Sequence, residues 1–217
     1  MVTLLLSNLV ASIKIVRIEL PELGPLSFGA GLLIFPISYL MGDILTEVYG
    51  YAKSRRVIWT GFIAVGISVL LTNIFVMMPA DPAWGLQDAY EKVFSLSFRV
   101  AGASMFAYFC GEFTNSFIVA KLKVITKGKN LFARLIGSTM AGEFVDTMIF
   151  YPIAFAGIAA FPTDLLIKVM ISNYIVKVLW EVLAYPATRK LISYLKKSEN
   201  EDYYDKKTKF SPFAFAQ

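Results

Sequence analysis

Carboxylates and a lysine stand inside stretches of this sequence that are otherwise apolar. Asp43 and Glu47 fall within residues 27–49, and Glu112 and Asn115 within 97–120. Ser138, Thr139, Glu143 and Asp146 fall within 134–160, and Asn173, Lys177 and Glu181 within 165–195. Ser7 and Asn8 lie in a shorter apolar run, residues 2–16. An ionised side chain near the centre of a membrane helix costs about 2.5–3.5 kcal/mol. The spacing indicates how that cost is offset. Asp43 and Glu47 are four residues apart, as are Asn173, Lys177 and Glu181 in turn, while Glu112 and Asn115, and Glu143 and Asp146, are three apart. On a helix each set shares one face. Carboxylates accept N–H groups in pairs, and lysine and asparagine donate to carbonyls. Polar stripes of this composition would line a polar cavity. For Ser7, Ser138 and Thr139, hydrogen-bonded glue between helices is an equally good reading. Glu47, near a helix end, is expected to pair with Lys53, Arg55 or Arg56.

The elements that must carry these stripes follow from composition. The 217 residues are 57% hydrophobic and 17% charged, with a mean hydropathy of +0.61. A soluble domain is roughly 45–50% apolar and about 25% charged. The apolar runs are the length of membrane helices rather than of alternating barrel strands. The expected fold is therefore all-α and integral to the membrane, with about six spans near residues 2–16, 27–49, 57–78, 97–120, 134–160 and 165–195. Residues 1–197 would form the transmembrane domain. The charged tail, 198–217, is expected to be disordered and cytoplasmic. Pro21, Glu22, Gly24 and Pro25 would break the chain after the first span, and Pro162, Thr163 and Asp164 would cap the last. The loop 79–96, with Trp84, Tyr90 and Phe94, is expected to form an interfacial helix. Lys53, Arg55 and Arg56, then Lys121 to Arg134, then Arg189 to Lys197, fall on one side of a six-span path. By the positive-inside rule that side is cytoplasmic, with both termini there.

Function classes are narrowed by what the sequence lacks. It has no histidine, and Cys110 is its one cysteine. That disfavours zinc chemistry, Ser-His catalysis and an intrachain disulfide. No catalytic residue, metal site or cofactor is assigned. An intramembrane enzyme using acid pairs is the weaker reading. No phosphate-binding Gly-Lys-Ser/Thr loop is present, so the chain would not hydrolyse ATP by that route, and a carrier of this kind would need an ion gradient, facilitated flow or a separate ATPase module. The net charge of +5 is spread as topology signals, not as a nucleic-acid surface.

The run from Phe35-Pro36-Ile37-Ser38-Tyr39-Leu40-Met41-Gly42-Asp43 through Glu47-Val48-Tyr49-Gly50-Tyr51, followed by Arg55-Arg56-Val57-Ile58-Trp59, resembles the queuosine precursor transporter family of the vitamin-uptake transporter group. Ser7-Asn8, Gly111 to Asn115, Ser138-Thr139 with Asp146, and Tyr174 with Lys177 extend the similarity. The resemblance implies a bundle similar to the substrate-binding components of energy-coupling-factor transporters, in a bacterial inner membrane. It also implies import of a nucleobase, a 7-deazaguanine or queuine, for tRNA modification, with a homo-oligomer or a separate ATPase as partners to consider. The expected substrate-binding residues are Asn8, Phe35, Tyr39, Asp43, Glu112, Asn115, Glu143, Asp146, Asn173, Tyr174 and Lys177. Ser7, Glu47, Arg55, Arg56 and Glu181 are expected to serve structure and topology. Phe109 and Phe113 are further stacking candidates. The sequence departs from the family pattern where Glu112 and Glu143 replace amides and Asn115 replaces an acid. Such an exchange at a base-recognising site could alter the preferred precursor. Gly42, Gly111 and Gly142, each preceding an acid, would allow close helix approach.

Overall fold

The computed structural model describes residues 3, 5–7, 15–20, 24–94, 98–159 and 162–214. It is mostly helical. After a short hairpin, β1 (Ile15–Leu20) and β2 (Gly24–Gly29), a 3-10 turn (Ala30–Leu33) leads into α1 (Phe35–Tyr49). Then follow α2 (Tyr51–Met77), α3 (Gln87–Phe94), α4 (Phe98–Ile125), α5 (Leu131–Phe155) and α6 (Thr163–Ser198). Tyr51–Met77 and the stretch Gln87–Ile125 that contains α4 are long and apolar enough to cross a membrane.

The solvent pattern of a soluble protein is inverted. On α2, Ile63, Ile67, Leu70, Ile74 and Phe75 are exposed, and on α6 so are Ile167, Ile171, Ile175, Leu179 and Leu183. Asp43, Glu47, Glu112, Asn115, Arg134, Glu143 and Glu181 are buried instead. Hydrocarbon outside and ions inside suit a protein dissolved in lipid.

Several expected boundaries need correction. Residues 15–20 read Ile-Val-Arg-Ile-Glu-Leu and pair antiparallel with 24–29, so that residues 15–16 and 27–29, expected at the end of the first span and the start of the second, are strand. Arg17 and Glu19 alternate with apolar, partly β-branched residues, which is a strand signal of period two. α1 starts only at Phe35, with Pro36 in its first turn. The glycines upstream, Gly29 and Gly31, favour helix weakly. α2 begins six residues before the expected start, because Gly50 alone makes the corner at φ 84°. Pro162, without a side-chain hydrogen bond, is the N-cap of α6. The helix expected in the loop 79–96 is α3, where Tyr90 packs on both Trp84 and Phe94.

The tail departs furthest from expectation: through Ala214 it packs on the bundle instead of being disordered. Asp205 accepts from the backbone N–H of Tyr51, at the start of α2. The Tyr203 N–H donates to the Val48 carbonyl at 3.0 Å. Arg55 donates to the carbonyls of Lys209 and Ser211, and the Trp59 indole to that of Pro212. Phe210 packs against Tyr51 and Phe117, and Phe213 against Trp59. Composition made the segment look unable to bury apolar area. Phe210 and Phe213 find an aromatic groove already built by α2 and α4.

Asp202 ties the tail down electrostatically, 2.6 Å from Lys123 and 2.8 Å from Lys196. Partial burial pushes its carboxyl up, but hydrogen bonds from both lysines outweigh this and hold it below the usual carboxylate range. A depressed folded-state pKa stabilises above the unfolded value and is lost as pH falls through the folded one. Docking should therefore be intact near neutrality and loosen only below the ordinary carboxylate range. Limited proteolysis of the tail across that interval would detect it; protease sensitivity already equal at neutral pH would refute the docked arrangement.

α4 and α5 share the largest helix–helix interface. A Cβ on Gly142 would stand 2.9 Å from the Gly111 carbonyl oxygen and 2.8 Å from the Asn115 Cβ. The two backbones can approach this closely only because both positions are glycine. Gly142→Val should cost about 1–3 kcal/mol through overpacking, read as a lower detergent melting temperature. Arg99, at the start of α4, donates to the Ile153 and Ala156 carbonyls at 2.5 and 2.6 Å, capping the end of α5.

Candidate functional site

Close α4–α5 contact brings the polar stripes of four helices together. Lys177, from α6, donates to Glu143 Oε2 at 2.7 Å and to Asp146 Oδ2 at 2.8 Å, both on α5. Its ammonium also lies 4.5 Å from the centroid of the Phe35 ring, at the head of α1. Phe35 in turn packs on Tyr39, with ring centroids 5.6 Å apart. On the facing side, Asn115 of α4 donates to Asp43 Oδ1 of α1 at 2.5 Å. Glu112 lies within electrostatic range of Asp43, Glu143, Asp146 and Glu181.

The unsatisfied atoms are as informative as the bonds. Among the described residues, the Tyr39 hydroxyl, Glu112 Oε2, Asn115 Oδ1 and both Glu181 oxygens are buried without a partner, while the Thr139 hydroxyl lies against Asp43. Native proteins rarely leave such groups orphaned, and each one asks for an explanation. Here they converge on one interior. A lysine has three N–H donors, and two are committed to Glu143 and Asp146, so one remains for a carbonyl. The orphaned Glu112 oxygen can accept an N–H. A cavity of about 70 Å³ reaches Glu112 from the side of Ser38, Gly42, Ser54, Ile58 and Tyr108.

Phe35, Tyr39, Asp43, Glu112, Asn115, Glu143, Asp146 and Lys177 thus come together. Two expected residues make their hydrogen bonds outside this group, although Tyr174 lies within electrostatic range of Glu143. Asn173 donates to Val169 within its own helix, and Tyr174 donates to the Met140 carbonyl while packing on the half-exposed Phe144. Asn8 lies outside the described residues. Ser7 is buried and donates to the Gly31 carbonyl at 3.1 Å. Phe109 and Phe113 belong to a packed aromatic group with Trp59, Phe62 and Tyr51.

Glu47 was expected to pair with Lys53, Arg55 or Arg56, and it pairs with none of them. It is fully buried and accepts from Arg134 Nε at 2.9 Å, Arg134 Nη2 at 3.0 Å and Lys196 Nζ at 2.6 Å. Lys53 reaches Glu201 instead, Arg55 holds the tail, and Arg56 is exposed. Lys123, read from sequence as a loop charge, is buried at the end of α4. It donates to the carbonyls of Glu47 and Tyr203 and pairs with Asp202. Sequence reasoning missed Arg134, Lys123 and Lys196 because a basic residue at a span end looks like a topology signal. Thr46, Ser54 and Ser116, which bridge α1, α2 and α4 through their hydroxyls, carried no sequence signal beyond being small and polar.

Known proteins share this sequence pattern. Residues 29–191 match the family described as "Putative vitamin uptake transporter". A protein of Bacillus subtilis (strain 168) named "Probable queuosine precursor transporter" is 31% identical over 180 residues, covering 79% of this chain and 76% of the relative. No solved structure matches. With a family match across most of the chain and a polar interior wrapped in exposed apolar helices, the chain belongs to the vitamin uptake transporter family and is a membrane transporter.

Proposed function

We propose that the protein imports a queuosine precursor, a 7-deazaguanine base such as preQ0 or preQ1, or queuine, for tRNA modification. One observation carries the reading: a buried lysine that holds Glu143 and Asp146 and keeps a spare donor shares a buried polar interior with unpartnered oxygens of Glu112 and Asn115. A guanine-like edge offers a carbonyl beside two N–H groups, which is the complementary pattern. Lys177 would donate to the carbonyl. Asp43, Glu112 and Glu143 would accept the N–H groups, and Phe35 and Tyr39 would flank the ring. The name of the Bacillus subtilis relative favours the same ligand class. In this reading the fold is a six-helix bundle like the energy-coupling-factor binding components, in the bacterial inner membrane with both termini cytoplasmic. The base leaves unchanged, so no catalytic step is assigned. A homo-oligomer or a separate ATPase module would be added partners.

A precursor-auxotrophic bacterium expressing the chain, fed each candidate base, should regain queuosine in its tRNA. If no base gives chain-dependent queuosine, the substrate assignment fails.

A further inference from the structure

Glu181 has no role in the ligand contacts above, yet it is among the most buried acids, at 1% exposure, and neither carboxylate oxygen has a partner among the described residues. It lies on α6 one turn beyond Lys177, about 6 Å along the axis. From α1 it is faced by Asp43, from α5 by Glu143 and from α4 by Glu112. The nearby cations are paired with other acids. Lys177 holds Glu143 and Asp146, while Arg134 and Lys196 hold Glu47. A carboxylate buried without a donor or cation costs several kcal/mol. Among the described residues no three acidic side chains are grouped to hold a metal ion.

We propose that Glu181 is the proton-binding site that couples uptake to the transmembrane proton gradient. This rests on the base-transport reading above. The coupling is electrostatic linkage. A proton on Glu181 removes a negative charge beside Asp43 and Glu143, leaving those acids freer to remain ionised and accept the N–H edge of the base. Linkage is reciprocal, so the base raises the affinity of Glu181 for its proton. One proton joins the Glu181 carboxylate from outside with the base and leaves it to the cytoplasm when the base departs. No bond of the base is made or broken.

The test uses the full chain, purified and reconstituted in sodium-free liposomes with radiolabelled 7-cyano- and 7-aminomethyl-7-deazaguanine. An acidic exterior should drive accumulation by about tenfold per pH unit at one proton per base, collapsing with a protonophore. Glu181→Gln, which mimics the protonated acid, should keep base binding and counterflow exchange but lose gradient-driven accumulation. Should that variant not fold, lumenal pyranine in wild-type vesicles reports the coupling directly, as acidification on base entry without an imposed gradient. Wild-type equilibration without accumulation, accumulation by Glu181→Gln at the wild-type level, or base entry with no lumenal acidification would each overturn the proposal while leaving base transport standing. Absence of binding and exchange of either base by the wild type would instead remove the substrate reading and the coupling with it.

Discussion

Lys177→Met should reduce precursor uptake by about 10- to 100-fold, the loss expected when a hydrogen bond from a charged donor worth about 1.5–3 kcal/mol is removed. Its ammonium neutralises Glu143 and Asp146 together and keeps one donor for the ligand. Methionine preserves the length and apolar stem but removes every donor. The two acids then face each other and Glu112 without a cation. Asp146→Asn should lose less, because Glu143 still holds the ammonium in place. Arg56→Met is the control, since Arg56 is exposed and outside the polar cluster. Lys123 cannot serve as the control, because it is buried and anchors the tail. Uptake at the wild-type level by membrane-inserted Lys177→Met and Asp146→Asn would mean that the ion triad only joins α5 to α6.

Helical spacing made the centre of this site legible. Glu143 and Asp146 three apart, Lys177 and Glu181 four apart, and glycines before three of the acids were enough to predict which faces meet. Lys177 could be assigned a carboxylate partner because an isolated ammonium in a membrane is too costly to keep. Intrahelical spacing did not reveal which way a side chain turns when its own backbone competes for it. Asn173 spends its amide on the carbonyl one turn back, and Tyr174 turns toward a neighbouring carbonyl. Long-range pairing was also hidden. Glu47 is six residues from Lys53 and 87 from Arg134, and proximity in sequence favoured the wrong partner. The tail misled for a related reason: its charges dominated the reading, whereas Asp202, Asp205, Phe210 and Phe213 each meet a partner set by the bundle.

Glu47→Gln should destabilise the protein more than any change in the ligand cluster. Glu47 lies on α1 with no exposure, and its two oxygens receive Arg134 Nε and Nη2 and Lys196. Arg134, itself buried, also donates to the Lys129 carbonyl at 2.9 Å, so the group fixes the α4–α5 corner against α1. Glutamine offers one acceptor oxygen and directs an NH2 at the guanidinium. Removing one partner of a buried ion pair costs about 3–5 kcal/mol, because the other charge stays in place without compensation. At about 2–4 °C per kcal/mol for a chain of this size, the detergent melting temperature should fall by about 10 °C. The tail should loosen with it, since Lys196 and Lys123 bind both Glu47 and Asp202. A double-mutant cycle with Arg134→Met isolates the pair from the rest of the network. The double variant should recover part of the loss, because neither charge is then stranded. Additive losses, or a melting temperature unchanged by Glu47→Gln, would show that Arg134 finds its compensation elsewhere and that α1 is held by packing alone.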